Sequence, residues 1–417
     1  MSKLRSVKGM NDVLPEDAAR WHRLESTFRE LVGRYGFGEV RTPLVEPTDL
    51  FVRSIGEATD IVEKEMYTFE DKGEKSLTLR PEGTASAARA WIQHSVGGKH
   101  PVSKWFYLGP MYRRERPAKG RYRQFWQAGC EIYGDPGPYV DAELIDFVVR
   151  YLRALGIQDI EVLVNSLGAG GTRDRYRDAL LEYLRPHASE LSEDSQRRLE
   201  RNPLRVLDSK APQDQAIAEN APDILDHLDE ESREHFETLK SALDDLGTPY
   251  RVEPRLVRGL DYYTRTLFEV RGRGGDLGAN AALCGGGRYD NMIAELGGPA
   301  TPAIGFAIGL DRLLLVMAET EPKPTLDGFL VVQAKELRGK ALAIAQTLRD
   351  AGARVDADLR GGSMKSQFRR ADKSSAPFAL ILGEREAAEG TVQVKELATG
   401  EQRELPIDQV AAAIIRD

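Results

Sequence analysis

Two apolar segments on either side of a highly charged one restrict the fold more than any other feature of this sequence. Residues 104–109 (KWFYLG) and 124–133 (QFWQAGCEIY) have the apolar and aromatic composition of strands. Six basic residues and the single acid Glu115 lie between Tyr112 and the second segment. The pattern predicts a β-hairpin whose long connecting loop carries a dense positive charge.

The chain is long enough for more than one hydrophobic core. At 417 residues, two or three domains are expected. Apolar side chains at three- and four-residue steps predict an amphipathic helix over residues 21–35, and Pro43 favours an edge or interface strand after it. A short strand, a turn at residues 81–83 and a helix capped by Thr84 are expected next.

Residues 165–245 differ in character from the segments around them. They are rich in Glu, Arg, Asp and Leu at helical spacing, which predicts an inserted helical module without evident chemistry. Strand-like segments return after it. Beyond the linker-like residues 319–324, strands and helices alternate, which predicts a small α/β domain with a mixed or parallel sheet.

Composition excludes several classes of protein. The chain is 41% hydrophobic and 30% charged, which is typical of a globular protein rather than a disordered one. Cys130 and Cys284 cannot form a disulfide framework and lie in no zinc-binding pattern. No signal peptide or membrane-spanning segment is evident, so we expect a cytoplasmic protein. The net charge of −8 argues against nucleic-acid binding by overall attraction, although a local basic patch could still bind RNA.

The charged loop has two interpretations. Arginine grips phosphate bidentately with a planar fork and never loses its charge, so the loop suits a polyphosphate or a nucleic-acid end. The alternative is a solvated loop with surface ion pairs. Interleaved aromatic residues favour ligand binding, as do the polar Gln127 and Glu131 in the following apolar strand, because polar groups inside a strand need partners.

Gln127 and Glu131 lie four residues apart, so they project from the same face of a strand. An amide and a carboxylate on one face could bind a small zwitterion. Hydrogen bonding to nearby backbone groups is about as well supported from the sequence alone.

Residues 256–269 (LVRGLDYYTRTLFE) raise the same question. Arg258 and Asp261 could form an internal ion pair in a strand-like stretch, or a second phosphate or carboxylate clamp. Tyr262 and Tyr263 offer flat walls with hydroxyl tips for an aromatic or amphipathic ligand.

Other familiar motifs are weakly supported. The glycines of CGGGRYD are followed by no Lys-Ser/Thr and lack GxGxxG spacing, so neither a P-loop nor a dinucleotide-binding fold is indicated. The six histidines lie mostly in charged contexts and are expected to face solvent. Nothing is typical of a zinc site or a nucleophile elbow.

Five motifs together resemble the histidyl-tRNA synthetase family. They are TLRPEGT, YRRERPAKGRYRQFWQAGCEIYG, LVRGLDYYTRTLFE, GGGRYD and AIGFAIGLDRLLL. LVRGLDYY and GGGRYD are similar to the histidine-specific signatures, whereas the arginine loop and AIGFAIGLDR are similar to class II synthetases in general. The segment SMKSQFRRADKSSAPFALILGE is similar to the anticodon-binding domain, so the resemblance covers nearly the whole chain.

The resemblance implies an α+β fold. A class II catalytic domain over residues 1–322 would have an antiparallel sheet core flanked by helices and a helical insertion at about 166–248. Residues 326–417 would form a C-terminal α/β anticodon-binding domain. A homodimer is also implied, with the segment around Pro43 at its interface.

The implied reaction has two steps. The histidine carboxylate attacks the α-phosphate of ATP, giving histidyl-adenylate and pyrophosphate, and the 3′-terminal hydroxyl of histidine tRNA then takes the histidyl group. ATP serves as substrate, together with Mg²⁺. Positioning and charge neutralisation should dominate such a reaction.

The resemblance also implies site residues. Catalytic roles fall to Arg113 at the α-phosphate, Arg258 at the carboxylate and α-phosphate, and Arg312 at the terminal phosphate. ATP binding is implied for Arg113, Glu115, Arg121, Phe125 and Arg312. Histidine binding is implied for Glu82, Thr84, Gln127, Glu131, Tyr262, Tyr263 and Tyr289. Contact with tRNA is implied for Arg116, Lys119, Arg123, Lys365, Arg369 and Arg370, and no residue is implied as a metal ligand.

Four positions depart from the family pattern. Trp126, Thr264 and Asp311 replace the usual histidine, asparagine and glutamate, and Ala118 stands in the loop expected to meet the acceptor end of the tRNA. The alternative function is that of the non-catalytic paralogue that regulates ATP phosphoribosyltransferase in histidine biosynthesis. That paralogue usually lacks the C-terminal domain and has eroded motifs, whereas this chain keeps both.

Overall fold

Contacts within the chain divide it into two units, Met1–Glu319 and Thr320–Asp417, which are described separately. The computed structural model describes residues 3–56, 59–200, 202–272, 281–318 and 326–415. The predicted linker at 319–324 lies outside the described residues. The predicted domain limits, 1–322 and 326–417, therefore stay predictions.

The strands of the first unit build two sheets. The described strands are β1 (Gly38–Glu39), β2 (Val45–Pro47), β3 (Tyr67–Glu70), β4 (Ser76–Leu79), β5 (Ser103–Tyr112), β6 (Gln124–Tyr133), β7 (Ile160–Ser166), β8 (Arg251–Val252), β9 (Thr264–Gly272), β10 (Ala281–Arg288) and β11 (Ala303–Gly309). Eight of them form one sheet in the order β1-β5-β6-β11-β10-β9-β7-β8, and β2, β4 and β3 form a small second sheet. The large sheet is antiparallel except at its two ends, where β1 pairs with β5 and β7 with β8 in parallel.

Helices cover the large sheet. The described helices are α1 (Pro15–Arg34), α2 (Thr48–Ile55), α3 (Thr84–Gln93), α4 (Pro138–Ala154), α5 (Thr172–Leu184), α6 (Glu193–Arg198), α7 (Leu204–Leu207), α8 (Pro212–Ala218), α9 (Glu230–Asp245), α10 (Met292–Glu295) and α11 (Leu310–Val316). A main core of sheet side chains with α1 and α4 includes the fully buried Phe28 and Phe147. The predicted α+β class with an antiparallel core flanked by helices is confirmed. Among the described residues, no helix combines the length and apolarity needed to cross a bilayer.

The hairpin prediction is confirmed in register. β5 and β6 pair antiparallel along their whole length, from Ser103 opposite Tyr133 to Tyr112 opposite Gln124. The basic loop therefore projects from the end of the second and third strands of the eight-stranded sheet. The helix predicted over residues 21–35 is also present but begins earlier, at Pro15, a residue well suited to a first helical turn.

The helical insertion is tied into the core. Its last helix, α9, packs Phe236, Leu239 and Leu243 into the same apolar cluster as α4. The prediction that the histidines face solvent is wrong for His235, whose Nε2 lies 2.9 Å from Asp141 Oδ2 in the interior. Arg288, also buried, donates from Nε to that same oxygen at 2.9 Å, so three distant segments converge on one carboxylate.

The second unit is a mixed sheet with helices. Its elements are β12 (Gly328–Val332), α12 (Arg338–Asp350), β13 (Val355–Ala357), α13 (Met364–Lys373), β14 (Phe378–Leu382), α14 (Glu384–Glu389), β15 (Thr391–Glu396), β16 (Gln402–Pro406) and α15 (Ile407–Ile414). The strand order is β13-β12-β14-β15-β16, with the first three parallel and the last two antiparallel. The predicted small α/β domain is confirmed.

Candidate active site

A cavity of about 670 Å³ is lined by residues of the central strands β6, β10 and β11 and of the basic loop. Glycines of β10 and β11 are part of its lining. A Cβ atom at Gly305 would overlap the carboxylate of Glu131, and one at Gly285 would overlap the guanidinium of Arg258. The close approach of side chains to the sheet therefore requires glycine at both positions.

Most of the predicted histidine and ATP residues meet in this cavity. The predicted site residues among those that line it are Glu82, Thr84, Arg113, Glu115, Lys119, Arg121, Phe125, Gln127, Arg258, Tyr262, Tyr263, Tyr289 and Arg312. Glu131 lies behind the lining and is fully buried. Arg116 and Arg123 are not part of the lining, and Arg123 instead donates to backbone carbonyls of Glu115 and Lys8.

Arg113 is held against an aromatic ring. Its Nε donates to the carbonyl of Pro81 at 2.9 Å, and its guanidinium lies 5.3 Å from the centre of the Phe125 ring. The cation–π contact and the backbone bond fix the planar donor fork. Arg113 lines the cavity, so its charge is available to an anionic ligand there.

Arg258 lies on a loop over residues 253–263, not on the strand that the sequence predicts. Its guanidinium forms an ion pair with Glu269 of β9, which also accepts from Arg271 at 2.7 Å. The internal pair with Asp261 that the sequence left open is not formed, because Asp261 bonds to Asn202 and Arg205 instead.

Two buried polar atoms in the cavity lack protein partners among the described residues. They are the Nε of Arg258, a donor, and the Oε1 of Gln127, an acceptor. Leaving such groups unpaired costs free energy, typically about 1–3 kcal/mol each. A ligand with both donors and acceptors would satisfy them.

Arg312 closes the far side of the cavity. It donates from Nη1 to Ala282 O at 2.6 Å and from Nε to Gly120 O at 3.2 Å, joining β10 to the basic loop. Burial, followed by repulsion from Arg121, lowers the pKa of Arg312. Like charges gathered in one cavity favour a polyanionic ligand that neutralises them.

A cluster of hydroxyl groups surrounds Glu131 behind the cavity lining. The Glu131 carboxylate accepts from Thr84 Oγ1 at 2.8 Å, from the Tyr107 hydroxyl at 3.2 Å and from the Tyr289 hydroxyl. The rings of Tyr262 and Tyr289 pack edge to face, 5.6 Å apart. A small polar ring would meet donors, acceptors and flat walls here.

Burial raises the pKa of Glu131 from its ordinary 4.5 to about 8. Between pH 4.5 and pH 8 the folded protein keeps a proton that the unfolded chain has lost. The protonated carboxyl group therefore contributes fully to the free energy of unfolding below pH 4.5, and this contribution is lost as the pH rises through 8. In the wild type, the free energy of unfolding should fall by roughly 1.4 kcal/mol per pH unit in that window because of Glu131, and we expect Glu131→Gln to abolish this fall. Unfolding in denaturant at pH 5, 6.5 and 8 measures this slope. The control is Glu143→Gln, which changes a carboxylate in a surface ion pair with Lys104 and should keep the wild-type slope. Equal slopes in the wild type, Glu131→Gln and Glu143→Gln would contradict the prediction.

Glu82 caps helix α3, which corrects the prediction for Thr84. The two carboxylate oxygens of Glu82 accept from the backbone N–H groups of Thr84 and Ala85 at 2.7 and 2.8 Å. Thr84 is the first helical residue and makes no capping bond. Its hydroxyl therefore does not cap the helix and instead donates to Glu131.

Sequence reasoning missed several cavity residues. Tyr107 bonds to Glu131 only because β5 and β6 pair, and Asp208 and Lys210 come from the insertion, where no chemistry was predicted. Glu269 was detectable as a lone carboxylate in the apolar run TLFEV. Asp311 accepts from Trp126 N at 2.7 Å, and burial raises its pKa to about 6.

Comparison with known proteins points to one family. The histidyl-tRNA synthetase family model matches residues 9–313, and the anticodon-binding domain model matches residues 326–417. The chain is 54% identical, over 412 residues, to the histidine–tRNA ligase of Sorangium cellulosum (strain So ce56). That match covers 99% of this chain and 96% of the relative.

Solved structures agree. The apo histidyl-tRNA synthetase of S. aureus has a TM-score of 0.84 at 37% identity, covering 99% of this chain and 100% of that one. A Bacillus halodurans protein described as an ATP phosphoribosyltransferase regulatory subunit/histidyl-tRNA synthetase has a TM-score of 0.65 at 24% identity, over 87% of this chain and 94% of that one. At that identity the second match supports the shared fold alone.

Proposed function

Because this chain belongs to the histidyl-tRNA synthetase family, we propose that the cavity over β6, β10 and β11 is where histidine, ATP and the tRNA end react. The activity is the ATP-dependent ligation of L-histidine to tRNA by a class II aminoacyl-tRNA synthetase. The regulatory-paralogue alternative is not favoured, since the identity to a histidine–tRNA ligase extends over nearly the whole chain.

One observation carries the proposed site. The three arginines Arg113, Arg258 and Arg312 line the same cavity as Thr84 and Tyr289, whose hydroxyls bond to the buried Glu131. A ligand with a polar ring at one end and a phosphate chain at the other matches that arrangement. Histidine and ATP together form such a ligand.

The histidine end is assigned as follows. The imidazole ring lies between Tyr262, Tyr263 and Tyr289 and bonds to the carboxyl group of Glu131, since a ring with one N–H and one bare nitrogen pairs with a carboxyl and a hydroxyl. Gln127, whose Oε1 lacks a protein partner among the described residues, accepts from the α-ammonium group. Glu82 and Thr84 border the same end of the cavity.

The phosphate end uses the arginines. A carboxylate oxygen of histidine forms a bond to the α-phosphorus of ATP while the bond from that phosphorus to the β-phosphate oxygen breaks, and pyrophosphate leaves. Arg113 and Arg258 neutralise the charge on the carboxylate and α-phosphate, and Arg312, with Arg121 and Glu115 nearby, binds the departing end. Phe125 stacks on the adenine. Fixed donors that need no reorganisation are the main source of acceleration in such a step.

Transfer to tRNA completes the cycle. The 3′-terminal hydroxyl attacks the carbonyl carbon of the adenylate, the bond from that carbon to the AMP oxygen breaks, and AMP leaves. Mg²⁺ is proposed to arrive with ATP. Among the described residues no cluster of three or more His, Cys, Asp or Glu could hold a metal ion, so the phosphates and at most one or two carboxylates would bind it.

Location and oligomeric state are also proposed. The protein is proposed to be a cytoplasmic homodimer with an interface near Pro43, where Leu44, Val45 and Phe69 expose more than a third of their surface. Sedimentation over a range of concentrations tests the dimer, and a monomer at every concentration would contradict it.

The direct test of the proposed function is amino-acid-dependent exchange of labelled pyrophosphate into ATP. We expect exchange with histidine and not with the other protein amino acids. Exchange with none of them would mean that the intact motifs do not support adenylate formation.

Contacts with tRNA are proposed for the loop residues Arg116, Lys119 and Arg123, and for helix α13. On α13, Lys365, Arg369 and Lys373 are exposed at four-residue spacing and form one basic face. Arg370 differs, because its guanidinium pairs with the buried Asp358 and bonds to Gly361 O. The predicted role of Arg370 in tRNA contact therefore competes with a structural role.

Replacing Lys365, Arg369 and Lys373 together with alanine should raise the KM for tRNA in charging by about tenfold, because phosphate contacts supply much of the affinity, and should reduce its salt dependence. Pyrophosphate exchange, which needs no tRNA, should not change. Lys335→Ala, an exposed lysine outside the helix, is the control. A loss of exchange in the triple variant would contradict this division of labour.

A further inference from the structure

Two sets of hydrogen bonds hold the loop over residues 253–263 on either side of Arg258. Near its start, the Asn165 Nδ2 donates to the carbonyls of Pro254 and Leu256, both at 3.0 Å. Near its end, Asp261 makes bonds in several directions. Arg258 lies between these two sets, and Tyr262 and Tyr263 directly follow Asp261.

Asp261 is bonded mainly by the helical insertion. The Asn202 Nδ2 donates to Asp261 Oδ1 at 2.9 Å, and Arg205 Nη2 lies 3.4 Å from the same oxygen. Arg173, on α5, donates from Nη1 to the Asp261 carbonyl at 2.8 Å. Outside the insertion, the Asp261 N–H donates to the carbonyl of Ile55 at the end of α2, at 3.2 Å.

The insertion and the loop also share an apolar core. Leu204 and Val206 of α7 belong to the same buried cluster as Leu256, Tyr262 and Tyr263. The side chain of Arg205 is only 11% exposed, so its bond to Asp261 lies in a partly desolvated setting. The insertion and the loop therefore form a packed apolar interface that encloses these hydrogen bonds.

We propose that the helical insertion positions the catalytic loop through Asp261, so that it is required for adenylate formation in the absence of tRNA. This inference rests on the proposed roles of Arg258, Tyr262 and Tyr263. Asp261 touches no reacting atom in this scheme. It is a positioning residue, with Arg173, Asn202 and Arg205 as its anchors.

The physical reason is geometric. Arg258 must reach a carboxylate and a phosphate at once, and a displacement of about 1 Å in such a group can cost on the order of 100-fold in rate. The loop has no strand partner at Asp261 to hold it by a ladder of hydrogen bonds, because β9 begins only at Thr264. The bonds from the insertion replace that ladder.

Three variants and one double variant test the proposal in the full-length protein. Asp261→Ala removes the acceptor, Arg173→Met removes the bond to the Asp261 carbonyl, and Asn202→Asp places a second carboxylate against the first. Combining Asn202→Asp with Asp261→Asn exchanges the amide and the carboxylate and restores their hydrogen bond. The control is Asp194→Ala, which breaks an exposed ion pair with Arg197 on α6, in the same insertion.

In tRNA-free pyrophosphate exchange, each single variant should lower kcat by about tenfold, while the KM for ATP changes little. A displacement of Arg258 smaller than the roughly 1 Å that costs on the order of 100-fold is enough for such a loss. The exchanged double variant should recover much of the rate that Asn202→Asp alone loses. The control should match the wild type. If Asp261→Ala does not fold by circular dichroism, Arg173→Met and Asn202→Asp decide the question.

Wild-type exchange rates in well-folded Arg173→Met and Asn202→Asp would overturn the proposal and assign the insertion to tRNA alone. That failure is distinct from a failure of the proposed function. In the first case the wild type still shows histidine-dependent exchange, whereas in the second the wild type itself shows none.

Discussion

Replacing Arg258 with methionine should reduce histidine-dependent pyrophosphate exchange by about 100- to 1,000-fold, the usual effect of removing one fixed donor from a developing anionic centre. The guanidinium lies in the cavity, is paired with Glu269, and keeps a buried Nε without a protein partner among the described residues. Methionine fills a similar volume without charge. The loss should appear mainly in kcat, because the interaction strengthens as the transition state forms.

Two further variants, Arg258→Lys and Arg255→Met, separate the effect of the charge from those of the paired guanidinium donors and of the loop itself. Lysine keeps the charge but cannot offer two parallel donors, so it should restore only part of the rate. Arg255 lies three residues earlier on the same loop, is exposed, is absent from the cavity lining and donates to the Glu219 carbonyl of the insertion. Its replacement removes a loop contact but no cavity group, so exchange should stay well above the level of Arg258→Met. An Arg258→Met protein that exchanges normally would remove this arginine from the mechanism.

Glu131→Gln should raise the KM for histidine by about 100-fold, equivalent to roughly 2.7 kcal/mol, because a buried group in a polar network loses a matched partner. Both oxygens of the Glu131 carboxyl group accept from hydroxyl groups, Oε1 from Thr84 and Tyr107 and Oε2 from Tyr289. An amide offers one oxygen and a nitrogen that only donates, so it cannot replace both acceptors. The KM for ATP should change little, since Thr84, Tyr107 and Tyr289, which bond to Glu131, are not among the residues proposed to bind ATP. Steady-state exchange with each substrate varied in turn measures both values.

Tyr107→Phe provides a graded comparison. It removes one of the three hydroxyls but leaves the carboxylate, so its effect on the KM for histidine should be smaller than that of Glu131→Gln. The surface variant Glu143→Gln should have none. A Glu131→Gln protein with an unchanged KM for histidine would place the imidazole elsewhere in the cavity.

Local patterns predicted the parts of the fold that depend on local rules. Apolar and aromatic composition identified the β5–β6 hairpin, and the four-residue spacing placed Gln127 and Glu131 on one face of β6. The mixed sheet of the second unit followed from alternating strands and helices. The roles of Arg113, Phe125 and Arg312 came from family resemblance, and the cavity brings these residues together.

Tertiary contacts account for what the sequence could not predict. Residues 256–263 have strand-like composition, yet they form a loop because Asp261 bonds to the insertion and to α2 rather than to a neighbouring strand. His235 has the charged neighbours of an exposed residue but is buried by its bond to Asp141 on α4. Tyr107 meets Glu131 across a strand pair, and no spacing rule along one strand reveals such a contact.

The strand order of the large sheet has a consequence for biosynthesis. β6 carries Gln127 and Glu131 and lies between β5 and β11, but residues 303–309 leave the ribosome long after residues 124–133. At about 5–20 residues per second, one edge of β6 stays unpaired for many seconds while the insertion is being translated. An open strand edge can pair with another chain. The interval before residue 309 is made is therefore when the nascent polypeptide is most prone to misassembly with its neighbours on a polysome.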